Sequence, residues 1–324
     1  MNENEIIDLF RRSFQANPDK DPGMFDDVAY LNEKGRLVVK VDMFVAETDM
    51  PPGMTLSQAA RKSVIACLSD VSSKGAKAFA FSVSLGIPRR LANRKPIESL
   101  IAGFRQAGRE YRLRLISGDI NEAKDLVIDC VMLGRAGDIY VTRNGARPDD
   151  IVFSTGPFGY TGLGLKHLVE GLSIPSTIKR QCIDSVLEPK PNIWLSRSVV
   201  SSGLVSASMD SSDGLSATLN EIAFQSGVGM ELDNLPVDKE IAESGLDRES
   251  VFDAVMFGGE EYATVFTVPP KNEEKISEIA KQSGGRLYRL GRVVQGGGVR
   301  LVYEGQIRRI RPAGWVHFAP RRMP

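Results

Sequence analysis

The chain has 324 residues, which at roughly 100 to 200 residues per domain favours two domains, each with its own core. Its 41 acidic and 41 basic residues cancel, so no global field recruits nucleic acid or an anionic membrane. The start "MNENEIIDLF" lacks the layout of a secretory signal, and no apolar run approaches the ~20 residues of a membrane span, so the sequence reads as cytoplasmic.

In chain order, Ile6, Ile7, Leu9, Phe10 and Phe14 stand at near-helical spacing and predict a short amphipathic helix over 5–14. "RLVVKVDMFV" (36–45) is rich in β-branched residues and predicts a strand, broken by "PPGM". A helix then opens at Thr55, with Gln58 completing a capping box, and stops at Gly75. The strand "AKAFAFSVSLGI" ends at Pro88, and a helix runs from Pro96 to about Tyr111, the proline being harmless in a first turn. "LRLISGD" and "DLVIDCVMLGRA" resume the sheet. The polar stretch "TRNGARPDD" (142–150) is the best boundary, placing an N-terminal domain over 1–145 and a C-terminal domain over 146–324.

Beyond that boundary the alternation continues with strand "IVFSTG", helices across 162–202, strand "LVSASMD", a helix over 215–226, strands "GMELD" and "YATVFTV", a helix over 272–282 and a hairpin around "YEGQ". Both halves therefore predict an α/β class. Cys67, Cys130 and Cys182 are few and far apart and read as buried hydrophobes. Only His167 and His317 exist, which argues against a histidine metal site or a serine–histidine triad.

Aspartates recur, most of them at the end of a strand or in the loop beside it: Asp26 and Asp27 in "FDDVAY", Asp42, Asp70, Asp119 in "SGDIN", and Asp210 and Asp213 in "MDSSDGL". Singly, each reads as a turn or cap residue, and Asp213 with Ser211 or Ser212 suits the cap of the helix near Leu215. Together they suggest convergence on a cation, and Mg²⁺ is held by few carboxylates plus substrate phosphates. A phosphorylated ligand is the implied partner. No Walker loop exists; "GPFGYTGLGL" has glycines without the lysine and reads equally as a turn, while Gly118 in "GDINEAKD" permits close backbone approach to a phosphate. "GGEEY" reads as a bulge with solvated acids, and Trp315 as a packed lid or a ring-stacking surface.

Taken in order, "FDDVAY", "VDMFV", "LSDVSSKGA", "SGD", "MDSSDGL", "GGEEY" and "GW" resemble the archaeal branch of the thiamine-monophosphate kinase family, from about Asp26 to Phe318. That family groups with aminoimidazole-ribonucleotide synthase and selenophosphate synthetase, and the resemblance implies the two-domain α/β fold of that group. It implies ATP-dependent phosphorylation of thiamine monophosphate, several Mg²⁺ ions and a homodimer formed through the N-terminal domains. By motif position Asp27, Asp42, Asp70, Asp119, Asp210 and Asp213 would hold metal. Gly118, Asp119, Arg143 and Ser212 would contact ATP, with Asp119, Asp210 and Arg143 assisting transfer, and Asp49, Glu260 and Trp315 would fall at substrate positions.

The chain departs from that pattern at Phe25, at Lys40-Val41 in place of a Ser-Thr pair, at Ile120-Asn121, at Asp49, at Glu261 and at Val316. No Cys precedes Cys67 and the chain does not end in Cys, which separates it from selenophosphate synthetase and the hydrogenase maturation relatives. Another ATP-using member of the group and a non-catalytic binder of ATP or thiamine phosphates are the alternatives.

Overall fold

A computed structural model describes residues 29–31, 36–303, 306–315 and 318. The helix expected over 5–14, Phe25, Asp26, Asp27, Val316 and His317 lie outside the described residues. Twelve strands are described: β1 Ala29–Leu31, β2 Leu37–Val45, β3 Lys77–Ile87, β4 Arg114–Glu122, β5 Val127–Arg135, β6 Ile151–Ser154, β7 Ala207–Ser211, β8 Gly229–Leu232, β9 Ala263–Val268, β10 Tyr288–Val294, β11 Gly298–Tyr303 and β12 Gln306–Ile310. They form a five-stranded sheet, ordered β1-β2-β5-β3-β4, and a seven-stranded sheet, ordered β12-β11-β8-β10-β6-β9-β7. Among the described strands, only β3–β4 and β8–β11 pair in parallel.

The principal helices are α1 Leu56–Ser73, α2 Arg94–Tyr111, α3 Tyr160–Leu165, α4 Ser176–Leu187, α5 Ile193–Val200, α6 Leu215–Ser226, α7 Arg248–Phe257 and α8 Glu273–Gln282. Helix α1 starts where its capping box places it: the Thr55 side chain accepts from the Gln58 amide and the Gln58 side chain from the Thr55 amide. Val64, Ile65 and Leu68 pack with Val38 and Phe44 of β2 and Ile128, Cys130 and Met132 of β5, so helices cover one face of the first sheet. Arg61, almost wholly buried, forks onto Glu110 of α2 and donates to the Pro189 carbonyl. The fork fixes the two helices side by side.

Helices cover both faces of the second sheet. Val152, Met209 and Val265 pack against α6 and α7, whereas Ile151, Phe153, Phe266 and Val268 pack against α5 and α8. Alternating residues of one strand thus enter two cores, which is why β9 is buried at every position. Cys67, Cys130 and Cys182 are buried free thiols, as their spacing predicts.

The "GPFGYTGLGL" glycines serve packing. A Cβ on Gly162 would meet the Ala254 carbonyl at 2.3 Å, and one on Gly164 the Cys182 carbonyl at 2.2 Å, so α3 lies directly on α7 and α4. Three of these elements escaped the sequence reading, β1, β10 and α7. The predicted cap of α6 also changes: its N-cap is Gly214 at φ 105°, with no side-chain cap bond. A Cβ there would stand 3.1 Å from the Met256 carbonyl, and Asp213 lines a cleft instead.

Candidate active site between the two sheets

Helix α1 is wedged between the sheets, and its C-terminal half is buried although it reads "SDVSSK". The reason is a polar seam. The Ser69 hydroxyl donates to the Tyr262 carbonyl at 3.3 Å, the Ser208 hydroxyl to the Ser73 carbonyl at 2.7 Å, and Lys74 Nζ to the Ser208 carbonyl at 2.5 Å. These bonds lock α1 of the first half against β7 and the entrance to β9 in the second. Buried polar groups tolerate such a place only when they are satisfied in this way.

In that seam lie Asp70 of α1, 6% exposed, and Asp210 of β7, 2% exposed, their carboxyl groups within hydrogen-bonding reach of each other. Asp42 projects from β2 on the same side. Between Asp42 and Asp70 stands an ammonium: Lys40 Nζ is 2.6 Å from Asp70 Oδ2 and 4.0 Å from Asp42 Oδ2. Burial and the neighbouring Asp210 push the Asp70 carboxyl well above its usual range, although Lys40 opposes them. Burial likewise raises Asp42 against the pull of Lys40. For Lys40 burial alone would lower the pKa, but Asp70 and Asp42 outweigh it and the net shift is upward. Among the described residues, no three His, Cys, Asp or Glu side chains group so as to hold a metal by themselves.

Beside the seam opens a cleft of about 430 Å³. Six of the predicted site residues line it: Asp42, Asp49, Ser212, Asp213, Glu260 and Trp315. Asp49 is fixed by accepting from the Val45 amide at 2.7 Å, and Trp315, 55% exposed, is anchored by its amide on the Asp213 carbonyl at 3.1 Å. Glu260 is not the solvated acid its motif suggests. It pairs with Lys62 at 2.5 Å, and its other carboxylate oxygen is buried without a hydrogen-bond partner. Glu260 and Tyr262 both hold left-handed backbone, φ 60° and 52°, a strain found where the surroundings over-determine a functional turn. The Glu260 amide bonds the Ser212 carbonyl, tying the "GGEEY" turn to the "MDSSDGL" loop.

Asp70 and Asp210 lie in the seam behind the cleft, and three further predicted residues line neither. Gly118 and Asp119 lie on β4, exposed at every position. Register places Asp119 opposite Ser84 and Ser84 opposite Asp129, so these three share one face of the sheet. Asp42 lies opposite the core residue Cys130, on the other face. Arg143 stands in the connection between the sheets, 3.6 Å from Glu221 of α6. Glu261 accepts from the Gly159 amide at 3.4 Å and is raised chiefly by burial; it lines a smaller cavity with Lys190 and Arg286.

Sequence reasoning missed Lys62, Ser63 and Ala66 as lining residues, and Lys40 as a member of the acidic cluster. The first three were accessible: steps of four, seven and eight back from Asp70 along a helix land on Ala66, Ser63 and Lys62, all on its own face. Lys40 had a weaker signal, the two-residue step from Asp42 that keeps both side chains on one face of β2.

The family models described as AIR synthase related protein, N-terminal and C-terminal domains, match residues 25–136 and 147–304. The thiamine-monophosphate kinase of Nitrosopumilus maritimus is 36% identical over 318 residues, spanning 98% of this chain and 99% of that protein. That of Pyrococcus horikoshii is 32% identical over 320 residues, spanning 98% and 96%. A solved structure, "AaThiL complexed with AMPPCP and TMP", superposes with a TM-score of 0.82 at 26% identity over 98% of this chain and 97% of its own. The hydrogenase maturation protein HypE shares the fold, with a TM-score of 0.67 at 22% identity over 98% of each chain.

Proposed function

The chain belongs to the thiamine-monophosphate kinase family, and from that premise we propose that it transfers the terminal phosphoryl group of ATP to thiamine monophosphate, giving thiamine diphosphate and ADP. The observation that carries this reading is the junction of a buried carboxylate seam with a cleft whose rim holds an exposed tryptophan. The relative bound to AMPPCP and TMP supports it.

The seam suits Mg²⁺. Asp42, Asp70 and Asp210 are oxygen donors from three elements, and burial opposes the ionisation of Asp70 even beside Lys40, which a bound cation would relieve. Mg²⁺ is held by one or two carboxylates plus phosphates, so the lack of a closed all-protein cage is no obstacle. When bound, the ion screens phosphate charge and stabilises it during transfer. Asp42, Asp70 and Asp210 would hold it, with Asp213 at the mouth of the cleft offering a further carboxylate.

The acceptor is a phosphate monoester oxygen, already anionic near neutral pH, so no general base is needed. The work of the protein is to hold two polyanions in line. Trp315 gives the cationic thiazolium ring a face to stack on, and Glu260, with its orphaned oxygen, and Asp49 offer acceptors to the same ligand. Ser212 sits where α6 begins, and the positive end of that helix favours a phosphate. Resemblance alone supports Gly118, Asp119 and Arg143 on the nucleotide side and Asp27 among the metal ligands.

We also propose a homodimer. The open face of β2 exposes Val41 (53%) and Met43 (59%), and the whole of edge strand β4 is exposed, including Leu115, Ile116 and Ile120. Such an edge is an aggregation liability unless it is covered. We place the enzyme in the cytoplasm, in keeping with its three free thiols; among the described residues no helix is long and apolar enough to cross a membrane.

The test is incubation with ATP, Mg²⁺ and thiamine monophosphate, separating products by chromatography. Thiamine diphosphate and ADP in equal amounts are expected, and none when unphosphorylated thiamine replaces the monophosphate. Nucleotide binding without any thiamine diphosphate would overturn the reading.

A further inference from the structure

The acidic seam contains a cation of its own. Lys40 leaves β2 on the same face as Asp42, two residues on, and its ammonium lies 2.6 Å from Asp70 and 4.0 Å from Asp42. Of the other two lysines of this region, Lys62 pairs with Glu260, and Lys74 donates to the Ser208 carbonyl. Lys40 supplies one of the positive charges that the carboxyl groups of Asp42 and Asp70 need once they ionise. With an uncharged residue at position 40 that charge has to come from a bound ion.

Space leads to the same answer as charge. An ammonium bonds a carboxylate at about 2.7–2.9 Å, and a magnesium ion sits at about 2.0–2.1 Å from its ligand oxygen. The two cannot occupy the same side of Asp70 Oδ2, and their charges repel. Lys40 is covalently tethered to a central strand and only a fifth exposed, so it holds its place at no cost in translational entropy.

We propose that Lys40 is a tethered counter-ion that takes the place of one divalent cation between Asp42 and Asp70. The nucleotide complex of this chain then carries one metal ion fewer than that of a variant with a small uncharged side chain at position 40. The inference rests on the reading of the seam as the metal–nucleotide site.

Equilibrium dialysis with Mn²⁺ in the presence of AMPPCP, read by electron paramagnetic resonance, tests it on the full chain. Lys40→Ser is expected to bind one more Mn²⁺ per chain than wild type, and Lys40→Arg the same number as wild type. Equal counts for wild type and Lys40→Ser would overturn the inference and leave the kinase reading standing. No Mn²⁺ bound by wild type with AMPPCP would overturn both. A measurement on wild type alone covers the case in which Lys40→Ser does not fold: reductive methylation of lysines, followed by mass spectrometry. Lys40 is expected to react as slowly with Mg²⁺ and AMPPCP as without them, and at least a tenfold acceleration would mean that metal evicts it and the proposal is wrong.

Discussion

Asp70 and Glu231 are both carboxylates held by cations, yet they behave in opposite ways. Glu231, on β8, accepts from Arg292 and Arg300 at 2.9 Å each at the surface of the second sheet, and those bonds hold its carboxyl below the usual range. Asp70 has Lys40 at 2.6 Å and still stays well above that range, because burial and Asp210 outweigh one ammonium. The surface pair is complete as it stands. The seam is under-neutralised, and an arrangement that opposes its own ionisation persists because a ligand cation completes it.

The largest test of that contrast is to remove the ammonium. Lys40→Met leaves Asp70 buried without its partner, and metal-free protein is expected to lose about 3–5 kcal/mol in urea denaturation. Most of that loss is expected to return on adding Mg²⁺ and AMPPCP, because binding to the native state alone is stabilising. A loss that Mg²⁺ does not touch would make Lys40 an ordinary structural pair.

Next in size is Asp210→Asn, which keeps shape and removes charge. Turnover is expected to fall about 10²–10³-fold, the range for a group that stabilises developing charge, with little change in melting temperature in the absence of metal. Unchanged turnover would separate the seam from the chemistry. Trp315→Ala is expected to raise KM for thiamine monophosphate roughly 2- to 30-fold with kcat nearly constant, corresponding to about 0.5–2 kcal/mol of stacking on a cation.

The smallest effect belongs to the surface pair: Glu231→Gln is expected to cost under about 1 kcal/mol and nothing in turnover. Here the pH profiles give opposite signs. Asp70 is raised in the folded chain, so above its unfolded value the native state keeps a proton the unfolded chain has lost. Metal-free stability therefore falls as pH rises from the ordinary carboxylate range to the raised value, and Asp70→Asn flattens that fall. Glu231 is lowered, so its contribution is present above the unfolded value and is lost as pH falls through the depressed one, and Glu231→Gln flattens the acid side. Denaturation midpoints from about pH 2 to 8 with EDTA separate the two.

Much of the fold was legible because its signals are local. The β-branched content of "RLVVKVDMFV", the capping box at Thr55 and the Pro96 turn each depend on neighbours within a few residues, and β2, α1 and α2 fall within two residues of the reading. Strand β10 escaped because arginines and Gly291 break the apolar run of "YRLGRVV", its burial being set by β6 and β8 on either side. The acids were legible as a set, and six of the expected site residues do line one cleft. Their sides were not. Whether Asp119 shares a face with Asp42 is decided by the pairing of β3 with β4 and β5, and a one-residue change of register reverses it. Lys40 was legible only as a departure from a motif, because its ammonium meets Asp70 through the docking of α1 on β2, a tertiary event.

The most direct test of the central claim is a crystal structure with Mn²⁺ and AMPPCP, using the anomalous signal of manganese to locate the ions. The account predicts a peak about 2 Å from carboxylate oxygens of the Asp42, Asp70 and Asp210 group, bridged to the nucleotide's phosphates, with Lys40 still on Asp70. A nucleotide bound with its manganese elsewhere, and the seam without a peak, would contradict it.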